Sequence, residues 1–191
     1  MNLEKMKYQA RNLRSLWETG KVHTGVAVAK PFGLLTVHGS LSARLCKRVG
    51  DSALNGGRMI DLGLLGSRVV TNAGVAFLVD DCADDTADIT TMNYHDSGTG
   101  GTAENATDTA LVTQAGPTTR ATGTKSQPSA NILQTVGTVS YTGTLAIVEH
   151  GLFNQAAQGG TLWDRTVFSA INVVSGDSIE FTYQCTLTAG S

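Results

Sequence analysis

The chain has 191 residues with a formal net charge of −2, and 41% of them are hydrophobic while 16% are charged. This length suits one domain, or one domain with an appendage, and the apolar share can supply a buried core. The 22 glycines and the low aromatic share of 6% favour strands and turns over helices. Because no apolar run has transmembrane length and Met1–Gly20 lacks an apolar leader, we expect a soluble chain without a secretion signal.

The net charge conceals an uneven distribution along the chain. Residues 1–70 contain 11 Lys and Arg against 4 Asp and Glu, and residues 71–191 contain 3 against 12. The two parts therefore carry +7 and −9, which together give −2. The basic part is a candidate for contact with an acidic partner, although two modules of different composition would give the same numbers.

The cysteines argue against a metal or disulfide framework. Cys46, Cys82 and Cys185 are odd in number and far apart, with no CxxC pair and no Cys/His cluster. We therefore expect no cofactor, no metal site and reduced thiols.

The first 20 residues predict a short basic amphipathic helix. Asn2 can cap it, and its apolar residues recur every three or four positions, at Leu3, Met6, Ala10, Leu13 and Trp17. Basic residues lie largely between them. The helix is either a segment that docks on a partner or one whose apolar stripe packs on its own domain; membrane binding is a weaker alternative, because only one such helix is present.

The middle of the chain alternates between short strands and loops, with one helix. Thr71 or Asn72 can cap a helix over Ala73–Val79. Strands are predicted around residues 22–30, 34–49, 58–68, 89–94 and 109–113, with a further candidate at 119–124. The acidic cluster of residues 80–88 could hold a cation, but its spacing matches no calcium loop, so we interpret it as a solvated loop.

His95, Asp96 and Ser97 stand in a row, which raises the question of a catalytic triad. Neighbouring residues of a strand point to opposite faces, so three consecutive residues cannot converge as a triad requires. We expect no catalytic role for this triplet.

The last third of the chain has the clearest strand patterns. Runs at 134–141 and 144–150 flank Thr142-Gly143 and predict a hairpin. A strand follows over Thr161–Phe168. In the terminal strand, Ile179 to Leu187 alternate between apolar and polar side chains, which predicts one buried and one polar face. The sequence therefore predicts a mainly β protein, an antiparallel β-sandwich or jelly-roll-like domain with a short N-terminal helix or arm.

Three motifs in this region carry a resemblance. They are Glu149-x-Gly151-Leu152-Phe153, then Leu162-x-x-Arg165-x-x-Phe168, then Gly176-Asp177-x-Ile179-x-Phe181-x-Tyr183. With these three motifs in this order, residues 69–190 resemble a β module of tailed bacteriophage structural proteins. Members of that group are capsid decoration (cement) proteins or tail and fibre components. The resemblance implies a β-sandwich at 69–191, and residues 1–68 would form a basic particle-docking part.

The resemblance implies a structural virion protein, assembled in the host cytoplasm, rather than an enzyme. We expect a capsid decoration protein that binds and stabilises the outer shell, with a tail, baseplate or head-fibre component as the alternative. Its partner would be the major capsid protein, or tail proteins, and a homotrimer is expected; we expect neither nucleic-acid nor membrane binding. The expected contacts are Leu3, Met6, Arg11, Leu13, Arg14, Leu16, Trp17, Lys21, Arg44, Lys47 and Arg48.

A glycan hydrolase is the enzyme alternative. It would need two carboxylates roughly 5–10 Å apart in a cleft, and Glu149, Asp164, Asp177 and Glu180 are the available acids. We expect Glu149 to make a structural hydrogen bond instead.

Overall fold

The computed structural model of this chain describes residues 35–48, 57–83 and 87–189. It is mainly β, with two antiparallel sheets packed face to face, as the alternating sequence patterns predict. The N-terminal helix and the strand predicted at 22–30 lie outside the described residues. The elements in order are β1 (Thr36–Lys47), β2 (Arg58–Val69), α1 (Asn72–Cys82), a 3-10 turn (Ile89–Thr91), β3 (Tyr94–Gly98), β4 (Ala121–Thr122), β5 (Thr124–Ser129), β6 (Ile132–Ser140), β7 (Leu145–Phe153), β8 (Leu162–Val173) and β9 (Ser178–Thr188).

Sheet A has five strands in the order β2-β1-β9-β6-β5, so the terminal strand β9 lies at its centre. The alternation predicted for β9 is confirmed, because Ile179, Phe181, Tyr183 and Cys185 are buried while the residues between them are partly exposed. A central strand with one apolar face must bury that face against a second layer.

Sheet B supplies that layer, with four strands in the order β4-β3-β7-β8. Apolar residues of both sheets form one core, in which Leu41, Val139 and Phe181 of sheet A join Ile147 and Ile171 of sheet B. Full burial of each such side chain contributes about 1.5–3 kcal/mol relative to exposure.

Helix α1 begins where the sequence predicts it. Thr71 is the N-cap, and its side-chain Oγ1 accepts a hydrogen bond from the N–H of Gly74 at 3.0 Å. The Thr71 hydroxyl also donates to the carbonyl of Leu162 at 2.6 Å, which ties the start of the helix to β8. Gly74 faces β8 so closely that a β-carbon there would lie 2.8 Å from the carbonyl oxygen of Trp163.

Three local predictions are wrong, because tertiary contacts or a local side-chain cap override the sequence pattern. The runs before and after Thr142-Gly143 do not form a hairpin, because β6 pairs with β9 in sheet A while β7 pairs with β3 and β8 in sheet B. Residues 89–91 form a 3-10 turn capped by Asp88, and the strand starts only at Tyr94. Residues 109–113 form a loop whose N–H groups bind a carboxylate.

The expected boundary near residue 68 falls at the end of β2. Strands β1 and β2 precede this boundary and belong to sheet A. β1 also pairs directly with β9, over Thr36–Cys46. The strand pairing therefore joins residues from both sides of that position. The jelly-roll topology stays a prediction.

Candidate functional site

The predicted partner contacts fall into two groups in the structure. Leu3, Met6, Arg11, Leu13, Arg14, Leu16, Trp17 and Lys21 lie outside the described residues. Arg44, Lys47 and Arg48 lie together at the far end of β1 from Leu35, which opens the described chain. Arg44 pairs with Glu180, and Lys47 Nζ lies 2.6 Å from a carboxylate oxygen of Asp177. Acidic residues of the same chain thus neutralise part of the positive charge that the sequence offers to a partner.

Asp177 is the organising residue of this end of the sandwich. Its carboxylate accepts hydrogen bonds from Lys47 Nζ, from the N–H of Arg48 at 3.0 Å and from the N–H of Val174 at 2.9 Å. Burial alone would raise its pKa, but Lys47 and the two backbone donors together lower the pKa below the ordinary value. Asp177 therefore fixes the β8–β9 turn to the end of β1.

A buried ion-pair network lies on the outer face of sheet B. Arg165 Nε donates to Glu149 at 2.7 Å, and its Nη1 donates to Asp108 at 2.9 Å. The Glu149 carboxylate also accepts from the N–H groups of Gly100, Val112 and Thr113 at 2.8–3.1 Å. The pair thereby holds the long loop between β3 and β4 against the sheet.

Arg120 forms a second clamp on the same face. Its Nη1 donates to the carbonyls of Gln155, Ala157 and Gly159 at 2.6–3.0 Å. Its Nε lies 3.3 Å from Asp96, and its guanidinium carbon lies 3.5 Å from the centroid of the Phe153 ring. This combination of a fork of donors and a stacked plane is specific to arginine.

Two histidines lie in the core between the sheets, and both are fully buried. His95 Nδ1 is 3.0 Å from His150 Nε2, and His95 Nε2 is 3.1 Å from Thr135 Oγ1. His150 Nδ1 has no hydrogen-bond partner, so the lowest-cost tautomers place a proton on Nε2 of each ring, where His150 donates to His95 and His95 donates to Thr135. Burial lowers the pKa of His95 to about 3, and burial together with His95 holds the pKa of His150 well below its usual value.

The His95-Asp96-Ser97 triplet does not form a relay. His95 bonds to His150 and Thr135, Asp96 meets Arg120, and Ser97 Oγ lies 2.8 Å from the hydroxyl oxygen of Tyr141. Burial raises the pKa of Tyr141 well above its usual value, so this phenol does not act as a base at neutral pH. The geometry around Ser97 provides no general base for a nucleophile.

Two of the described acids near residues 80–88 accept hydrogen bonds from the backbone. Asp81 accepts from the N–H of Ile89 at 3.1 Å, and Asp88 accepts from the N–H of Thr90 at 2.8 Å. Within residues 35–48, 57–83 and 87–189, no three His, Cys, Asp or Glu side chains converge as metal ligands. The helices in these ranges are also too short or too polar to cross a membrane.

A groove of about 560 Å³ opens at the end of sheet A, where the strand partners of Leu133 and Leu187 are Cys185 and Val37. Leu133 and Leu187 continue the core-facing row of side chains and are only partly buried, and Leu35 beside them is 63% exposed. The groove is lined by Leu35, Lys125, Ser126, Gln127, Ala130, Asn131, Ile132, Leu133, Leu187 and Ala189. It is a mainly apolar surface suited to binding another protein segment.

Comparison with known proteins finds no family model, no curated protein and no solved structure that matches this chain. The sequence did not indicate the groove, because its residues come from β5, β6, β9 and the start of β1. The alternation in β9 was the signal that could have located its floor, since Leu187 ends the apolar row.

Proposed function

We propose that this chain is a structural protein of a virus particle, and specifically a capsid decoration protein that binds and stabilises the outer shell. The observation that carries the proposal is the groove, because no residue of 35–48, 57–83 or 87–189 covers the partly buried, core-facing side chains of Leu133 and Leu187 there. The resemblance of the three motifs between Glu149 and Tyr183 to those of bacteriophage structural proteins supports this proposal.

The use of the buried charges supports a structural rather than a catalytic role. Glu149, Asp96 and Asp177 are each held by a basic side chain and by backbone N–H groups. Carboxylates fixed in this way stabilise loops and are not free to exchange protons with a substrate. A module with few charged residues, 16% of the chain, suits a protein that remains in one assembled place.

In this proposal the major capsid protein is the partner, and a homotrimer is the assembling unit. An apolar segment of a neighbouring subunit would fill the groove beside Leu35 and Leu187, while exposed basic residues contact acidic parts of the shell. Closed symmetry would also cover the unpaired edge of a sheet.

The test is the position and copy number of the chain in purified particles, measured by cryo-electron microscopy and quantitative mass spectrometry. Hundreds of copies on the shell are expected. A few copies confined to the tail would contradict decoration and would favour the tail or fibre alternative.

A matched pair of variants tests the groove. Leu35→Asp should reduce binding to undecorated shells at least about tenfold, because it places a charge in an apolar contact. Val112→Asp is the control, since Val112 is comparably exposed, at 54% against 63%, on a loop away from the groove. Equal binding of the two variants would contradict the proposed contact.

A further inference from the structure

The groove at the end of sheet A is lined by one charged side chain, that of Lys125. The other residues that line the groove are apolar or uncharged, and no Asp or Glu is among them. Lys125 lies opposite Thr135, and Leu133 is two positions from Thr135 on β6, so all three side chains are on the core-facing side of sheet A. The cation therefore lies on the same side of the sheet as the apolar residue Leu133.

The charge of Lys125 has no ion-pair partner within the described part of the chain. Its Nζ donates a hydrogen bond to the carbonyl oxygen of Thr90, which uses one of the three ammonium donors. None of the ion pairs among residues 35–48, 57–83 and 87–189 includes Lys125. Asp88 interacts electrostatically with Lys125, but its carboxylate bonds to the N–H of Thr90. A cation beside an apolar groove favours a partner with an acidic group at that position.

Strand β5 forms the edge of sheet A beside the groove, and it is a poor template for an added strand. All 6 of its residues are exposed, and its register with β6 is irregular between Ser126 and Ser129. Pro128 within it has no N–H to donate. Irregular edges that contain Lys and Pro are typical of strands that resist further pairing. Recognition at the groove therefore depends on side chains that enter it rather than on backbone hydrogen bonds along β5.

We propose that the segment of the neighbouring shell subunit that fills the groove has an Asp or Glu beside its apolar side chains, and that Lys125 binds this carboxylate. The apolar side chains of the segment pack on Leu35, Leu133 and Leu187. The same charge on Lys125 disfavours a basic segment. This inference rests on the proposed function and deepens it, because it gives the chemistry of the partner segment.

Two dyes with the same ring skeleton test the charge preference of the groove without the shell. Anilinonaphthalenesulfonate is an apolar anion whose sulfonate stands in for the carboxylate, and N-phenylnaphthylamine is its neutral counterpart. In fluorescence titrations of the full chain, Lys125→Met should weaken binding of the anionic dye about threefold, which is the effect of losing one exposed ion pair. Binding of the neutral dye should stay unchanged, because methionine keeps an apolar stem at this position. An equal loss for both dyes would overturn the role of the charge.

Two further variants locate the dyes and control for net charge. Leu35→Ser should weaken binding of both dyes several-fold, since Leu35 lines the groove and its side chain is 63% exposed in the unliganded chain. Arg58→Met removes an exposed cation opposite Lys47, at the end of β1 away from Leu35, and should leave both dyes unchanged. Equal effects of Arg58→Met and Lys125→Met on the anionic dye, or dyes that do not respond to Leu35→Ser, would overturn the proposal.

Binding to undecorated shells separates this inference from the proposed function. Lys125→Glu should reduce binding to the shells at least about tenfold, because it brings two carboxylates together beside an apolar contact. Native binding by Lys125→Glu would overturn the inference and leave the decoration role intact. A native chain that binds the anionic dye as expected but does not bind shells would contradict the decoration role and, with it, the shell as the source of the segment.

Discussion

Glu149 and Glu180 are both paired with an arginine, but their surroundings differ. Glu149 is fully buried with Arg165 and three backbone donors, whereas Glu180 pairs with Arg44, whose side chain is 51% exposed. A buried pair is costly to break because the remaining charge has no water, while an exposed pair is replaced by hydration. The same residue type therefore carries very different energetic weight at the two positions.

We expect Glu149→Gln to lower the free energy of unfolding by about 3 kcal/mol. The amide cannot neutralise Arg165. Its NH₂ group would also point at backbone N–H donors that bond to a carboxylate oxygen in the native chain. Urea denaturation measures the change, and Glu180→Gln is the matched control with an expected loss below about 1 kcal/mol. Equal losses in the two variants would show that burial does not determine how much each ion pair contributes to the free energy of unfolding.

The close packing around His95 requires a glycine at position 137. A β-carbon on Gly137 would lie 2.4 Å from His95 Cδ2 in the core. Gly137→Ala should therefore cost about 1–3 kcal/mol of stability through overpacking. In contrast, a β-carbon on Gly143 meets no atom within 4 Å, so Gly143→Ala should leave thermal unfolding nearly unchanged. A stable Gly137→Ala variant would mean that the histidine pair can shift to make room.

At the scale of single elements, the sequence predicts what depends on near neighbours. The alternation in β9 and the cap of α1 both follow from residues a few positions apart, and both are confirmed. The pairing partners of β6 and β7 depend on residues far along the chain, which is why a Gly-containing turn between two strand patterns falsely suggested a hairpin.

The candidate site was less accessible to sequence reasoning for the same reason. His95 and His150 are 55 positions apart, and Arg165 meets Glu149 from an adjacent strand and Asp108 from a distant loop. No local pattern distinguishes such buried polar residues from ordinary surface ones. The groove floor likewise combines the ends of three strands.

The histidine pair links β3 and β7 to sheet A and should make the fold sensitive to acid. Both rings are neutral in the folded state, and their pKa values lie below the ordinary 6.5. Below pH 6.5 the unfolded chain binds protons that the folded chain does not, so stability falls as the pH drops towards 3. The slope approaches about 1.4 kcal/mol per pH unit for each histidine.

Urea denaturation at intervals between pH 7.5 and 4.5 measures this slope, which should approach the value for two histidines. Asp96 acts in the opposite direction, because burial raises its folded pKa, so it reduces the slope at the acidic end. Stability that is flat over this range would contradict a buried neutral pair.

At the scale of the whole molecule, the two faces of sheet A have different characters. The inner face is the core, and the outer face of β9 and its neighbours contains mostly short polar side chains. In one row Thr182 lies between Ser42 of β1 and Val136 of β6, and in the next Gln184 lies between Ser40 and Gln134. The outer face is thus nearly uncharged apart from Arg44 and its two strand partners, Glu180 and Asp61, which suits close packing against a neighbouring protomer.

If the proposed homotrimer forms, we expect the outer face of β9 to be the seam between its protomers. Thr182→Lys should convert the oligomer to monomers, because symmetry would bring several lysines together in a desolvated contact. Light scattering measures the mass, and circular dichroism shows that the sandwich is retained. Thr144→Lys, on an exposed position between β6 and β7, is the control and should keep the oligomer. An oligomer mass that Thr182→Lys leaves unchanged would place the seam elsewhere on the molecule.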